Sequence, residues 1–530
     1  MSYLLWHYLA ESARRFPDRP AVQRRAVVLT YAELDARSTG LANLLTAAGV
    51  GAGMRVGLYM DKSPDSIVAM HGIMKSGAAY VPIDPTAPAA RAAFILGDCA
   101  VSGVVTTSTR LKALLDAAPL QSLRAVVLLD QEASPASSSV GVIRWSAIAQ
   151  APQDTIIAPA AIETDPAYLL YTSGSTGNPK GVILTHRNAM AFVEWGVALF
   201  GVRETDRLSS HAPLHFDLSV FDTYAALKSG ACVDQVPEEI APFPSQLAQW
   251  IESEKISIWY SVPSALVRML LHGRFERFQY SSLRHLLFAG EVFPVKYLRM
   301  LQTRLPQTEL WNLYGPTETN VCTYYQVPIL SEDQTADIPI GLACENTAVF
   351  ALTEQGTVAG PGEVGELIVR GPTVMPGYWG LPERTAKALV KNPVQPAYSE
   401  PAYLTGDYVR LREDGNYDFI GRRDNQVKSR GYRIELGEIE QVVYRHDGVR
   451  EAAVVAIPDQ EVGARLRLVV AAQPGVVLTR KDIETFCQAH LPRYMVPEMI
   501  DFMADLPRTS TGKTDRVALV REVSMTGAGE

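Results

Sequence analysis

Residues 55–83 restrict the kind of fold this chain can adopt. An apolar run over 55–60 has strand length, and a helix is expected over 64–75, where apolar residues fall at 67, 70, 73 and 74. Ser63 suits the N-cap, and Pro64 suits the first helical position, where a missing N–H costs nothing. Gly77 ends the helix and a second strand is expected over 79–83. Two strands joined through a helix pair in parallel. Apolar runs at 125–129, 168–171, 285–289 and 310–313, each followed by turn residues or glycine, repeat the pattern. The expected class is α/β, with layered, mostly parallel sheets and helices. Ligands in such folds bind beyond the C-terminal strand ends, where the glycine-rich segments fall here.

At 530 residues the chain exceeds a single core. A small β-rich subdomain is expected over 363–420, followed by an unusually charged stretch, 421–433, and a compact α+β tail. The boundary is placed at Asp424, giving a large domain over 1–423 and a small mobile one over 424–530. Residues 131–139 and 151–159 read as surface linkers. A net charge of −8 argues against a nucleic-acid or anionic-membrane binder. Five scattered cysteines without metal-ligand spacing suit a reducing compartment and buried thiols. The first residues read as an amphipathic helix with Glu11, Arg14 and Arg15 on its polar side. With no apolar run of about 18 residues, the expected location is the cytoplasm.

The strongest chemical signal is Tyr171-Thr-Ser-Gly-Ser-Thr-Gly-Asn-Pro-Lys-Gly181, lying between two apolar strands. Such a loop turns many N–H and O–H donors toward one anion, and Lys180 adds a cation. It is not a Walker A loop, because Pro179 falls inside the spacing and glycine follows the lysine. Gly51-x-Gly53 precedes a strand and lacks a third glycine, so it reads as a turn.

At this loop the chain resembles the adenylate-forming superfamily: acyl-CoA synthetases, luciferases and the adenylation domains of non-ribosomal peptide synthetases. Further segments follow in the family's order. They include Leu29-Thr-Tyr-Ala-Glu-Leu34, Met74-Lys-Ser-Gly-Ala-Ala-Tyr-Val-Pro-Ile-Asp84, Asn312-Leu-Tyr-Gly-Pro-Thr-Glu318, Gly365-Glu-Leu367 and Tyr403-Leu-Thr-Gly-Asp407. Gly421-Arg-Arg-Asp-Asn-Gln-Val-Lys428, Leu491-Pro-Arg-Tyr-Met-Val-Pro497 and Gly512-Lys513 complete the series.

The resemblance implies ATP and Mg²⁺ as cofactors. It implies that Thr172, Ser173, Gly174, Ser175, Thr176, Gly177 and Lys180 hold the phosphates, that Tyr314 stacks on adenine and that Asn312 lies near its amino group. By the same resemblance, Thr317 touches the α-phosphate, Glu318 binds Mg²⁺, and Asp407 holds the ribose hydroxyls with Arg422 beside it. Lys513 is then the mobile lysine bridging substrate carboxylate and α-phosphate, a cation placed where two anions must meet. Catalytic parts also fall to His215 and Lys428, and the hinge to Asp424.

Asp217, in His215-Phe-Asp-Leu-Ser219, is the position that pairs the substrate ammonium in peptide-synthetase relatives; a helix-capping role is the alternative. The remaining pocket positions implied are Leu218, Phe221, Ser261, Leu287, Ala289, Gly290, Leu313, Val321 and Cys322. An apolar lining has no partner for a charged side chain, so the substrate is a small apolar amino acid. Most of these positions resemble free-standing prolyl adenylation enzymes, with Phe221 and Ser261 as departures. L-proline is the first expectation, and alanine or a β-amino acid the alternative.

Only 14 residues follow Arg516, too few for a carrier domain, so loading of a separate carrier protein through its phosphopantetheine arm is expected. The basic residues Arg422, Arg423, Lys428, Arg430 and Arg433 would form either a docking patch for an acidic carrier or a solvated seam. An acyl- or aryl-CoA ligase and a non-catalytic adenylate-binding protein are the competing readings. Asp217 counts against the first; Lys513, Glu318 and Asp407 together count against the second.

Overall fold

The computed structural model describes residues 2–134, 136–137, 139–155, 161–174, 178–395, 397–422, 426–508, 514–516 and 518–521. The strand–helix–strand unit read from residues 55–83 forms as strand Arg55–Leu58, helix Pro64–Lys75 and strand Ala79–Pro82. Ser63 is the N-cap, Pro64 opens the helix, and Gly77 follows it with φ of 86°. The two strands pair in parallel in an eight-stranded sheet, with Gly103–Thr106, Ala125–Leu128 and Gly141–Arg144 added in the same sense. The opposite side of that sheet carries the hairpin Pro166–Thr172 and Lys180–Thr185, whose connection is the glycine-rich loop.

A nine-stranded sheet packs alongside. Its strands Arg207–Ser210, Ile258–Ser261, His285–Ala289 and Glu309–Tyr314 are parallel neighbours. Helices between the sheets, notably Pro64–Lys75 and Leu218–Ser229, are buried almost all round, so both sheets share one apolar core. The expected β-rich subdomain is a five-stranded antiparallel sheet over strands Ala348–Leu352, Val364–Arg370, Leu389–Lys391, Pro401–Leu411 and Tyr417–Arg422.

Beyond residue 425 a hairpin, Gln426–Ser429 with Tyr432–Glu435, leads into a three-stranded sheet flanked by helices Leu436–Val443 and Arg480–His490. This tail has its own core, including Ile439, Val454, Leu468 and Ile483. The five cysteines are all buried. Among the described residues no helix is long and apolar enough to cross a membrane.

Candidate functional site

A cavity lies at the C-terminal ends of the parallel strands. Thr172 and Ser173 come from the glycine-rich hairpin; Asp217 and Leu218 come from the start of a helix. Ala289, Gly290, Thr317 and Val321 form the wall beyond the adjoining strands. The tail closes the remaining side with Lys428, Gly431, Tyr432, Arg433 and Tyr494.

Asp217 stands at the N-cap position of helix Leu218–Ser229, yet its backbone is αR and its side chain makes no capping bond. The Thr317 hydroxyl donates to Asp217 Oδ2 at 2.8 Å. Burial raises the Asp217 pKa, opposed by Thr317 and by the nearby Lys428. A buried carboxylate facing a largely apolar cavity can pair with a small cation. His215 lines the same cavity, its Nε2 has no hydrogen-bond partner among the described residues, and burial lowers its pKa.

Glu318 is the centre of a buried charge cluster. One carboxylate oxygen accepts from Lys180 at 2.9 Å and from the Tyr378 hydroxyl at 2.8 Å; the other accepts from Arg433 at 2.8 Å. Burial alone would raise its pKa, but Arg433 and Lys180 hold it well below the usual carboxylate range. It is therefore ionised, a hard oxygen donor of the kind that suits Mg²⁺. Burial lowers the Lys180 pKa to about 8 in spite of this partner. Asp407 accepts from both the Tyr314 hydroxyl and the Arg422 guanidinium. The Asn312 amide donates to the Pro339 carbonyl at 2.9 Å.

Strand register corrects one pocket position. Tyr260 lies beside Leu287, and Ser261 lies beside Phe288. Successive strand residues face opposite ways, so a face carrying Leu287 and Ala289 carries Tyr260 and excludes Ser261. Tyr260 lines the cavity, whereas the Ser261 hydroxyl accepts the Trp259 Nε1–H at 2.8 Å and borders a second cavity. The parity of the chosen positions was sufficient to find Tyr260 from sequence. Phe221, Leu287, Leu313 and Cys322 are fully buried behind the cavity wall, where they set its shape from behind. Phe221 packs against Tyr260, and Gly196 makes room for it, because a Cβ there would lie 2.6 Å from the Phe221 ring.

The described members of the basic cluster are held by carboxylates or lie in the cavity. Arg422 turns to Asp407 and Arg433 to Glu318, while Arg430 pairs with Glu498. Lys428 lies in the cavity, where burial lowers its pKa against the pull of Asp407 and Asp217. Buried carboxylates draw Arg422, Arg433 and Lys428 inward, which charge counting along the sequence cannot show. Ser175, Thr176, Gly177, Arg423, Asp424 and Lys513 lie outside the described residues.

Several contributors escaped the sequence reading. The buried Lys62 ammonium donates to the Ser210 carbonyl at 2.6 Å and the His211 carbonyl at 3.1 Å, fixing the segment that leads to His215 and Asp217. Glu438 of the tail accepts from the Gly174 N–H at 3.2 Å and pairs with Arg91, and the Ser173 hydroxyl donates to the Arg433 carbonyl at 2.7 Å. Tail groups thus occupy donors of the glycine-rich loop. Tyr432 stacks on Tyr494 with centroids 3.9 Å apart and meets Phe216 edge-on, separating the two cavities.

A cavity at the strand ends, a Gly/Ser/Thr loop with a buried lysine, and an ionised glutamate beside that lysine define an enzyme that handles nucleoside phosphates. The chain belongs to the AMP-binding enzyme family: the family model matches residues 9–379, and that of the AMP-binding enzyme C-terminal domain matches residues 438–513. It is 42% identical over 521 residues to an L-proline--[L-prolyl-carrier protein] ligase of Pseudomonas fluorescens, covering 98% of this chain and 99% of that one. A protein of the same description from Streptomyces coelicolor is 39% identical over 492 residues, covering 92% and 91%. Among solved structures, IdnL1 superposes with a TM-score of 0.80 at 29% identity, covering 96% of this chain and 99% of that one.

Proposed function

We propose that the chain activates L-proline with ATP and passes the prolyl group to the phosphopantetheine thiol of a separate carrier protein. The observation that carries this reading is the buried Asp217 carboxylate, oriented by Thr317 inside a largely apolar cavity. It offers one anion to a substrate ammonium and nothing to a charged side chain. Two carrier-protein ligases that are similar over nearly the whole chain support proline, and Ser261, one of the two departures from that pattern, lies outside the cavity.

In the first half-reaction the proline carboxylate attacks the α-phosphorus of ATP, the bond to the bridging oxygen breaks, and pyrophosphate leaves. Asp217 holds the ammonium, and Leu218, Ala289, Gly290, Val321 and the buried residues behind them enclose the ring. Lys180 and the loop from Thr172 to Gly177 hold phosphate oxygens. Tyr314 and Asn312 hold adenine; Asp407 and Arg422 hold ribose. Glu318 would hold Mg²⁺, which would supply positive charge against the phosphates. Lys513 bridges carboxylate and phosphate.

In the second half-reaction the carrier thiol gives its proton to solvent, sulfur attacks the prolyl carbonyl, the bond from that carbonyl to the phosphate oxygen breaks, and AMP departs. The tail, residues 424–530, turns about Asp424 between the two. Lys428 and Gly431 line the cavity, which suits the second half-reaction, with His215 and Lys428 at the reacting group. The protein works in the cytoplasm.

ATP–pyrophosphate exchange with L-proline, L-alanine, glycine, L-valine, L-leucine, β-amino acids, benzoate and octanoate tests the assignment. Exchange dominated by proline, followed by proline-dependent labelling of a phosphopantetheinylated carrier, is the expected result. Exchange with benzoate or octanoate alone overturns it.

A further inference from the structure

Glu291 follows the strand His285–Ala289 and belongs to none of the residue sets assigned above. Its Oε2 accepts the Ser264 N–H at 2.9 Å, in the first turn of helix Pro263–His272. Its Oε1 accepts the Gly431 N–H at 2.6 Å, in the turn of the tail hairpin. One carboxylate therefore joins the large body to the tail through backbone donors on each side. The tail comes close enough because it offers glycines. Gly431 has φ of 80°, and a Cβ there would lie 2.2 Å from Val262. Gly463 has φ of 77°, and a Cβ there would lie 3.2 Å from Glu291 Oε1.

We infer that Glu291 is a positioning residue for thioester formation, clasping the tail hairpin in the arrangement that places Lys428 and Gly431 at the cavity. The inference rests on the two-arrangement reading of the proposed function. If the hairpin withdraws for adenylation, Glu291 keeps Ser264 and loses only Gly431, so the first half-reaction is spared. A charged acceptor of two N–H groups is hard to replace, since a neutral amide of the same size offers one acceptor oxygen and sets an NH₂ against the other donor.

The test compares wild type, Glu291→Gln and Glu291→Asp, the last keeping the charge but shortening the reach. Each full-length protein is assayed for ATP–pyrophosphate exchange with proline and for single-turnover prolyl transfer to a phosphopantetheinylated carrier. Amide hydrogen exchange over residues 426–435 is followed in parallel. Both variants are expected to keep exchange kinetics within about twofold, to lose transfer about tenfold or more, and to exchange hairpin amides faster. Loss of exchange and transfer together shows a merely structural role, and unchanged transfer with unchanged hairpin protection removes any role; either result overturns the inference. If the wild type loads no carrier, the proposed second half-reaction fails, and hairpin protection alone still decides the clasp.

Discussion

The most informative perturbation is Asp217→Asn, which keeps size and an acceptor for the Thr317 hydroxyl while removing the charge. Breaking one side of a buried ion pair costs about 3–5 kcal/mol. At about 1.4 kcal/mol per decade, kcat/KM for proline should fall by roughly 10²- to 5 × 10³-fold, with the low end favoured because the asparagine oxygen still receives Thr317. The assay is ATP–pyrophosphate exchange over a proline titration, with ATP saturating. A second readout follows from pH. Burial raises the Asp217 pKa, so proline KM should climb as pH falls through that raised value, above the range where an exposed carboxylate titrates. The stability of the ligand-free protein runs the other way. A carboxyl whose folded pKa is raised contributes stability at pH below its unfolded pKa and loses it as pH rises through the folded one. Ligand-free Asp217→Asn should therefore melt higher than wild type at neutral pH, by a margin that shrinks toward acid. Retention of kcat/KM within about fivefold, with no change in the pH profile, would refute ammonium pairing.

Other expectations can be checked in the same assay. Tyr260→Leu should change the ratio of proline to leucine exchange, whereas Ser261→Ala should leave it within about twofold; the reverse would undo the register argument. Glu318→Gln leaves Lys180 and Arg433 without their anion and should lower kcat about 10²-fold or more, with proline KM little changed. Asp407→Ala should raise KM for ATP about tenfold or more, read from an ATP titration at saturating proline. Lys62→Met strands the Ser210 and His211 carbonyls, and should lower the melting temperature by several degrees and raise proline KM through the displaced Asp217 segment.

The fold was legible wherever local pattern and turn chemistry agreed. Ser63-Pro64 and Gly77 marked the ends of a helix, and the strands flanking it formed within two residues of their expected ends. Segments that bring phosphate-binding residues together lie in short loops after strands, where sequence and space stay close. What stayed hidden depended on long-range placement. Ser261 stood where Tyr260 belongs because a one-residue shift inverts the face of a strand. The charged stretch 421–433 looked exposed because its partners, Glu318 and Asp407, come from other parts of the chain. Glu291, Glu438 and Arg91 act across the contact between large body and tail, which no local pattern encodes.

The burial of the cysteines has a consequence for an enzyme that makes a reactive acyl phosphate. Attack on such a group comes from thiolate, not thiol. Burial pushes the thiols of Cys99, Cys232 and Cys322 up to about 12, Cys487 to about 11, and Cys344 well above the usual thiol range. Cys322 sits just behind the wall of the acyl-forming cavity, yet holds almost no thiolate at neutral pH. The protein thus shields itself from self-acylation, and any thiol that intercepts the activated group must arrive on another molecule. A thiol-directed label applied to the folded enzyme with its acceptor would report the acceptor alone.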